Sequence, residues 1–375
     1  MNSEKVRLGI DASRCRSGGA YAHLIGILEF YKSSTLDLEV HVWSHAGLTG
    51  KLSHLKHLNL YSPGLLNRNI VFQLLWQLFF LKRALIDKKV DLLFTVDAST
   101  LCNFQPQVVL SQDLLSYEPG IMEKFYGLEW IRLKIILLLQ NSAFRRARGV
   151  IFLSEYSSKL IQKSSGPISN YTIIPHGIGL DFKRLTRFDK LNDNPGVINC
   201  TYVSNTSFYK NQWHVVKAIE ILRNKGFNLT LTLIGGGSGN SQKVLEKQIY
   251  ESDPCNHYIF QKDFVDQNII KHSLVNTDIF IFASACETFG ITLLEAMAVG
   301  LPIACSNRSG LPELLKDGGV YFDPESPIEI SNAINKLIVN ENLRTKVSKR
   351  AKIIADLYSW EKCSKETFNF LNKNL

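Results

Sequence analysis

Two carboxylates, Glu287 and Glu295, stand seven residues apart in Glu287-Thr288-Phe289-Gly290-Ile291-Thr292-Leu293-Leu294-Glu295. The run before them, Asp278-Ile279-Phe280-Ile281-Phe282-Ala283, is apolar and reads as a buried strand. The run after the first carboxylate, Thr292-Leu293-Leu294-Glu295-Ala296-Met297-Ala298, is mostly good helix formers. Gly290 sits at the junction. A strand that turns through glycine into a helix leaves backbone N–H groups free to meet an anion above the sheet. Carboxylates on either side of that anion accept hydrogen bonds from hydroxyls. A ligand with phosphate in the middle and hydroxyl-bearing rings at both ends, such as a sugar nucleotide, fits this layout.

The same segment resembles the Glu-x7-Glu signature of retaining glycosyltransferases of the two-domain GT-B type, the large bacterial group 1 (family 4) kind. The likeness continues through Gly300-Leu301-Pro302-Ile303-Ala304-Cys305-Ser306 and Gly310-Leu311-Pro312-Glu313-Leu314, and ends near Val320-Tyr321-Phe322-Asp323-Pro324. Glu-x7-Glu spacing alone says little, because helices are rich in glutamate. The Phe-Gly turn, the following Gly-x-Pro and the preceding apolar strand give the motif its context.

The resemblance implies an α/β chain of GT-B architecture, with two Rossmann-like domains facing across a cleft. Residues 1–178 would form the acceptor side, residues 179–358 the nucleotide-sugar side, and residues 359–375 a terminal helix packing back on the first domain. It implies that Glu287 hydrogen-bonds the donor sugar and Glu295 the ribose hydroxyls. The turn Phe289, Gly290, Ile291 and Thr292 would lie against the donor. Family members carry an arginine and a lysine in the loop that is Ser204-Asn205-Thr206-Ser207-Phe208-Tyr209-Lys210-Asn211 here. Lys210 matches the lysine and is expected on the diphosphate, with a plain surface lysine as the alternative. Asn205 stands in place of the arginine; it donates a hydrogen bond but neutralises no charge.

In the first domain, Ser17-Gly18-Gly19-Ala20 resembles the family's glycine loop over the donor, although an ordinary tight turn has the same residues. Val108-Val109-Leu110-Ser111-Gln112-Asp113 matches a strand that often ends in His-Asp beside the acceptor. Gln112 replaces the histidine and takes no proton. Asp113 keeps its place, as an acceptor-site residue or as a turn aspartate.

No Asp-x-Asp pair occurs anywhere in the sequence. No metal or other cofactor is therefore expected, with Lys210 and the helix start at Gly290 serving the leaving diphosphate. Gly235-Gly236-Gly237 follows a strand and gives weaker support for a nucleotide site; no Gly-Lys-Ser/Thr follows it.

A chain of 375 residues suits two domains. The seven cysteines form no Cys-x-x-Cys pair and read as small buried hydrophobes in a reducing compartment. The N-terminus shows no apolar signal core, so a cytoplasmic place is expected. Ile70 to Leu81 is the densest apolar stretch; it is too short to span a bilayer and reads as a core helix, with a membrane-surface role as the lesser reading. The net charge is +9. Residues 1–180 hold 20 Lys+Arg against 13 Asp+Glu, and the rest hold 23 against 21. The basic helix around Ile131–Leu139, with Arg132, Lys134, Arg145, Arg146 and Arg148, and the cluster Lys82-Arg83 with Lys88-Lys89 suit either an anionic membrane surface or a solvated face. The charges form no aromatic-interleaved pattern for nucleic acid.

Strand-like runs at Val6–Asp11, Leu38–Ser44, Val90–Val96, Val108–Ser111, Gly149–Ser154 and Tyr171–Pro175 alternate with helical patterns, as do those at Asn199–Val203, Leu229–Ile234, Tyr258–Phe260 and Ile279–Phe282. Such alternation argues for parallel sheets covered on both faces. Arg184 to Gly196 is polar and reads as the linker.

The expected activity is metal-independent transfer of a hexosyl unit, with retention, from a nucleoside-diphosphate sugar to a glycan or lipid-linked acceptor. It would serve cell-surface polysaccharide or glycolipid synthesis, in the cytoplasm or at the inner membrane face. An epimerase or phosphorylase of the same fold, or a sugar-nucleotide-binding subunit without turnover, are the alternatives.

Overall fold

The computed structural model describes residues 5–31, 38–185 and 196–375. The chain divides into two compact units: Met1–Gly177 with Trp360–Leu375, and Ile178–Ser359. Most of the expected linker, residues 186–195, lies outside the described residues.

The first unit is built on seven parallel strands: β1 (Val6–Asp11), β2 (Leu38–Trp43), β3 (Leu58–Tyr61), β4 (Leu92–Thr95), β5 (Gln107–Leu110), β6 (Gly149–Phe152) and β7 (Tyr171–Ile173), in the order β3-β2-β1-β4-β5-β6-β7. Ile10 of β1 pairs with Val42 on one side and Phe94 on the other, and all three are fully buried. The central strands are mostly apolar because both sheet faces are covered. Helices α1 (Gly18–Glu29) and α2 (Ala46–Leu52) follow β1 and β2. Then come α3 (Ile70–Leu75), a π-helical turn at Trp76–Phe80 that runs into α4 (Leu81–Asp87), α5 (Leu128–Arg146) and α6 (Glu155–Ser165). Chain order runs outward from β1 to β3, then back across to β4 and on to β7. Right-handed crossovers therefore put α1 and α2 on one face of the sheet and the helices from α3 to α6 on the other.

The Ile70–Leu81 stretch is not the core helix that its composition suggests. Gln73 and Gln77 are buried, while Val71, Leu78 and Phe79 are exposed. The reason lies at the end of β1. Asp11 is buried there, and Gln77 Nε2 donates to its Oδ2 at 2.8 Å. Gln73 Nε2 donates to the Arg68 carbonyl at 2.8 Å. A buried carboxylate without donors is costly, so the amides take the inward positions. Leu81 and Leu85 continue that side into a cluster with Trp43, Leu93 and Phe104.

The second unit repeats the plan with β8 (Ile198–Val203), β9 (Leu229–Ile234), β10 (Ile259–Lys262), β11 (Ile279–Phe282), β12 (Ile303–Ser306) and β13 (Val320–Phe322), parallel in the order β10-β9-β8-β11-β12-β13. Its helices are α7 (Leu180–Lys183), α8 (Gln212–Asn224), α9 (Gly239–Ser252), α10 (Gln267–Val275), α11 (Ile291–Val299), α12 (Leu311–Leu315), α13 (Pro327–Val339) and α14 (Glu341–Ala355). The order reverses between β8 and β11, where neighbouring strands send their connections in opposite directions. Ligands of such sheets sit outside the strands' carboxyl ends at that switch point.

The final helix, α15 (Trp360–Lys373), belongs to the first unit. It buries Cys363, Phe368 and Leu371, and Ser364 Oγ donates to the Ile27 carbonyl of α1 at 2.7 Å. Gly26 leaves room for Trp360: a Cβ there would come within 2.3 Å of the indole.

Candidate functional site

The two strand ends at the switch point of the second unit carry the predicted site. After β8 the chain runs through residues 204–207 into a short 3-10 turn at Phe208–Lys210, and Asn211 (φ +52°) redirects it into α8. After β11 it runs through residues 283–290 and enters α11 across Gly290, whose φ is +92°. That left-handed backbone favours glycine. The loops are tied together: Ala285 N donates to the Tyr209 carbonyl at 2.7 Å, and Asn211 Nδ2 donates to the Ala283 carbonyl at 3.1 Å. Tyr202 on β8 fixes the 3-10 turn from below, its hydroxyl donating to the Lys210 carbonyl at 2.8 Å.

These constraints bring Lys210 Nζ against Glu287 Oε1 as a hydrogen-bonded ion pair. Lys210 is 8% exposed. Burial is the largest single influence and lowers its pKa; the Glu287 charge and hydrogen bond, with Tyr209 and Tyr202, together outweigh it and raise the pKa above the ordinary lysine value. The ammonium also lies 5.0 Å from the ring centre of Tyr209 and 5.8 Å from that of Phe282, which suits a fixed, desolvated cation. Sequence alone placed both residues at the site without showing that they touch.

Ser309 is a further site residue that motif reading missed. Glu287 N donates to Ser309 Oγ at 3.0 Å, and Ser309 Oγ donates to the Glu287 carbonyl at 2.9 Å. Ser309 holds φ at +57° in the loop before α12, a conformation that a hydrogen-bonding serine tolerates better than a branched residue. Its place after β12, the next strand of the sheet, was the available signal.

Gly290, Ile291 and Thr292 form the start of α11, with Ile291 and Thr292 half-buried. Phe289 is buried, with its ring edge-on to Tyr358 at 5.5 Å between centres. Glu295 lies further along α11 and is buried. Burial raises its pKa to about 8, against a lowering hydrogen bond from Gln267, with Asp181 raising it and Lys271 lowering it. Its carboxyl is thus mostly protonated at neutral pH, able to donate as well as accept. Asn205 is exposed, and its Nδ2 donates to Ser207 Oγ at 3.0 Å. The triple glycine packs on this loop. Gly235 has φ +107°, and a Cβ there would lie 2.8 Å from the Ser204 carbonyl oxygen; one on Gly237 would meet Thr206.

The remaining predicted residues belong to the first unit. Gly18, at φ +72°, opens α1 with free space around it, and Gly19 faces His176. Gln112 Nε2 donates to the Val96 carbonyl at 3.1 Å. Asp113 Oδ1 accepts from Leu115 N at 2.9 Å in a turn, and burial raises its pKa while that bond lowers it. Asp97 after β4 ties Arg14 Nη1 at 3.4 Å. With Asp11 these aspartates line the carboxyl ends of β1, β4 and β5. Among the described residues no group of His, Cys, Asp and Glu has the arrangement of a metal site.

Residues 184–353 match the family described as glycosyl transferases group 1. The match covers most of the second unit. An uncharacterized glycosyltransferase of Methanocaldococcus jannaschii is 28% identical to this chain over 172 residues, 45% of this chain and 43% of its own length. The O-antigen chain mannosyltransferase B of Escherichia coli is 37% identical over 90 residues, 24% of each chain. The chain thus spans less than half the length of these curated relatives. Among solved structures, the sucrose-phosphate synthase of Thermosynechococcus elongatus superposes with a TM-score of 0.79 at 14% identity, over 98% of each chain. Anabaena HepE in complex with UDP and glucose superposes with a TM-score of 0.74 at 21% identity, over 98% of this chain and 99% of that one. The fold is GT-B. The unit that carries the match also carries the Lys210–Glu287 pair, at the switch point of its sheet beside the start of α11.

Proposed function

We propose that the chain is a retaining, metal-independent glycosyltransferase that moves a hexosyl unit from a nucleoside-diphosphate sugar to a hydroxyl acceptor. The observation that carries this reading is the part-buried Lys210–Glu287 pair beside the N-terminus of α11. A diphosphate laid there meets the Lys210 ammonium and the free N–H groups after Gly290, and both stabilise negative charge as it develops on the leaving group. Glu287 holds the sugar's hydroxyls and orients Lys210. It lies where an oxocarbenium-like transition state gains from a carboxylate. The leaving phosphate takes the acceptor's proton. Glu295 serves the ribose, Asn205 adds a neutral donor, and the turn from Phe289 to Thr292 shapes the wall.

The E. coli relative is named a mannosyltransferase of O-antigen synthesis, and HepE was solved with UDP and glucose. These support a nucleotide-sugar donor and a glycan or lipid-linked acceptor in cell-surface polysaccharide synthesis. On the first unit, Gln112 and Asp113 are the acceptor-side candidates, and the Gly18-Gly19 turn is a donor-side one. A binding subunit without turnover is the competing reading, favoured by the uncharged Asn205.

The test is turnover of UDP-hexoses and GDP-mannose in EDTA, with the product's anomeric configuration read by NMR. The proposal expects transfer to survive chelation and to keep the donor's configuration. Activity that needs added magnesium or manganese, or an inverted product, overturns it; tight donor binding without turnover selects the binding subunit.

A further inference from the structure

The face of the first sheet that carries α3 to α6 shows apolar side chains to the outside. On α3 and the π-turn, Val71 (57%), Leu78 (51%) and Phe79 (64%) are exposed while Gln73 and Gln77 are buried. On α5, Leu128 (83%), Ile135 (53%) and Leu138 (68%) are exposed while Gln140 and Asn141 are buried. Both segments reverse part of the usual pattern of a soluble helix, while Trp76, Leu81, Leu133 and Phe144 stay buried. Two of the inward polar side chains hold named partners: Gln77 Nε2 donates to Asp11, and Asn141 accepts from Tyr117 Oη at 3.0 Å and donates to Ser164 Oγ at 3.0 Å. The outward apolar groups are more than half exposed. Exposed large apolar patches mark surfaces that meet another apolar phase.

The charge around them identifies that phase. Residues 68–89 carry five cations, Arg68, Lys82, Arg83, Lys88 and Lys89, against the single carboxylate Asp87, and all six are exposed. On α5, Arg132, Lys134, Arg145 and Arg146 are exposed against Glu129. Lys134 Nζ lies 5.2 Å from the ring centre of the exposed Trp130. Long apolar side chains with an amphipathic tryptophan and surrounding cations suit the boundary between acyl chains and anionic headgroups. No helix among the described residues is long and apolar enough to cross a membrane.

We infer that this face of the first unit docks on an anionic lipid bilayer, with Val71, Leu78 and Phe79 from one segment and Leu128, Ile135 and Leu138 from the other entering the interface together. The inference deepens the proposed lipid-linked acceptor by naming the surface that would bring the chain to it. Insertion of apolar groups gives an attraction that salt only partly removes, whereas cations alone would be screened.

The test is sedimentation of the full chain with vesicles of phosphatidylcholine alone and of phosphatidylcholine with phosphatidylglycerol, at low and high salt. The expected result is binding to the anionic vesicles, weakened but retained in part at high salt, with a blue shift in tryptophan emission from Trp130. Leu78→Glu with Phe79→Glu should lower that binding at least about tenfold, and so should Leu138→Glu with Ile135→Glu. Both variants alter exposed residues away from the nucleotide site, so unchanged circular dichroism and unchanged nucleotide binding show that they are folded. Absence of binding to anionic vesicles overturns the inference, as does equal binding by the variants. A lipid-free dimer abolished by the same substitutions also overturns it, in favour of a second copy as the occupant. None of these readouts involves sugar transfer, so they stand or fall apart from the proposed activity.

Discussion

Glu287 and Lys210 together form a charged unit whose members cannot be removed singly without consequence. Losing one partner of a buried pair strands the other charge, at about 3–5 kcal/mol. Glu287→Gln keeps size and hydrogen bonding while removing the charge. It should cut turnover by at least about tenfold, since hydrogen bonds to charged groups are worth roughly 1.5–3 kcal/mol. Steady-state rates with circular dichroism as the folding control decide this; near-normal rates would remove Glu287 from the chemistry. Glu295 yields a pH prediction. Its folded pKa of about 8 stands above the ordinary 4.5, so the folded state holds the extra proton between those values. Stability contributed by this group is therefore present at low pH and lost as pH rises through the window, by up to about 1.4 kcal/mol per pH unit. Glu295→Gln should flatten that part of the curve in denaturant titrations between pH 5 and 8, and an unchanged slope would contradict the assignment.

Elements set where these residues meet, and glycines set how close the elements come. Gly235 has φ +107° and backbone 2.8 Å from where a Cβ would stand, so Gly235→Ala must move the 204–206 loop that leads into Lys210. A destabilisation of at least about 1–2 kcal/mol is expected, with weaker nucleotide binding, read by chemical denaturation and calorimetry. A neutral effect on both would mean that the loop is not fixed from this side. Much of the element pattern was legible in the chain. The run Ile279–Phe282 is apolar throughout, as a fully covered parallel strand requires, and Val6–Asp11 and Leu229–Ile234 are rich enough in buried Leu and Ile to read the same way. Strand β3, Leu58–Tyr61, escaped notice because its alternating Leu-Asn-Leu-Tyr at the sheet edge is short. The Ile70–Leu81 stretch was misjudged for a deeper reason. Composition measures how apolar a segment is, and only the fold shows that Asp11 draws the glutamines inward.

At the scale of the whole molecule, the sequence alternation announced two α/β halves, and the Glu-x7-Glu segment lies within the stretch of the second that matches the group 1 glycosyl transferase model. Contacts between distant residues were beyond reach: the Lys210–Glu287 pair, the Ser309 clamp and the buried aspartate–glutamine bond all join positions far apart in sequence. The last helix illustrates the same point. α15 completes the first unit, with Phe368 stacked on Tyr31 at 4.2 Å between ring centres and Arg148 Nη2 donating to the Leu375 carbonyl at 2.9 Å. Removal of residues 360–375 should therefore expose the α1 face and destabilise the first unit, while the second keeps its Lys210–Glu287 pair. Limited proteolysis with peptide mapping reports which half is cut, and equal resistance of both halves would show that α15 is dispensable. The measurement that bears most directly on the whole account is calorimetric binding of nucleoside diphosphates and their parent nucleosides, in EDTA, to the wild type and to Lys210→Met. The account predicts that one diphosphate binds the wild type far more tightly than its nucleoside, and that Lys210→Met abolishes most of that difference while leaving the nucleoside's affinity nearly unchanged. Failure of every diphosphate to bind without metal, or equal diphosphate affinity in Lys210→Met, would contradict it.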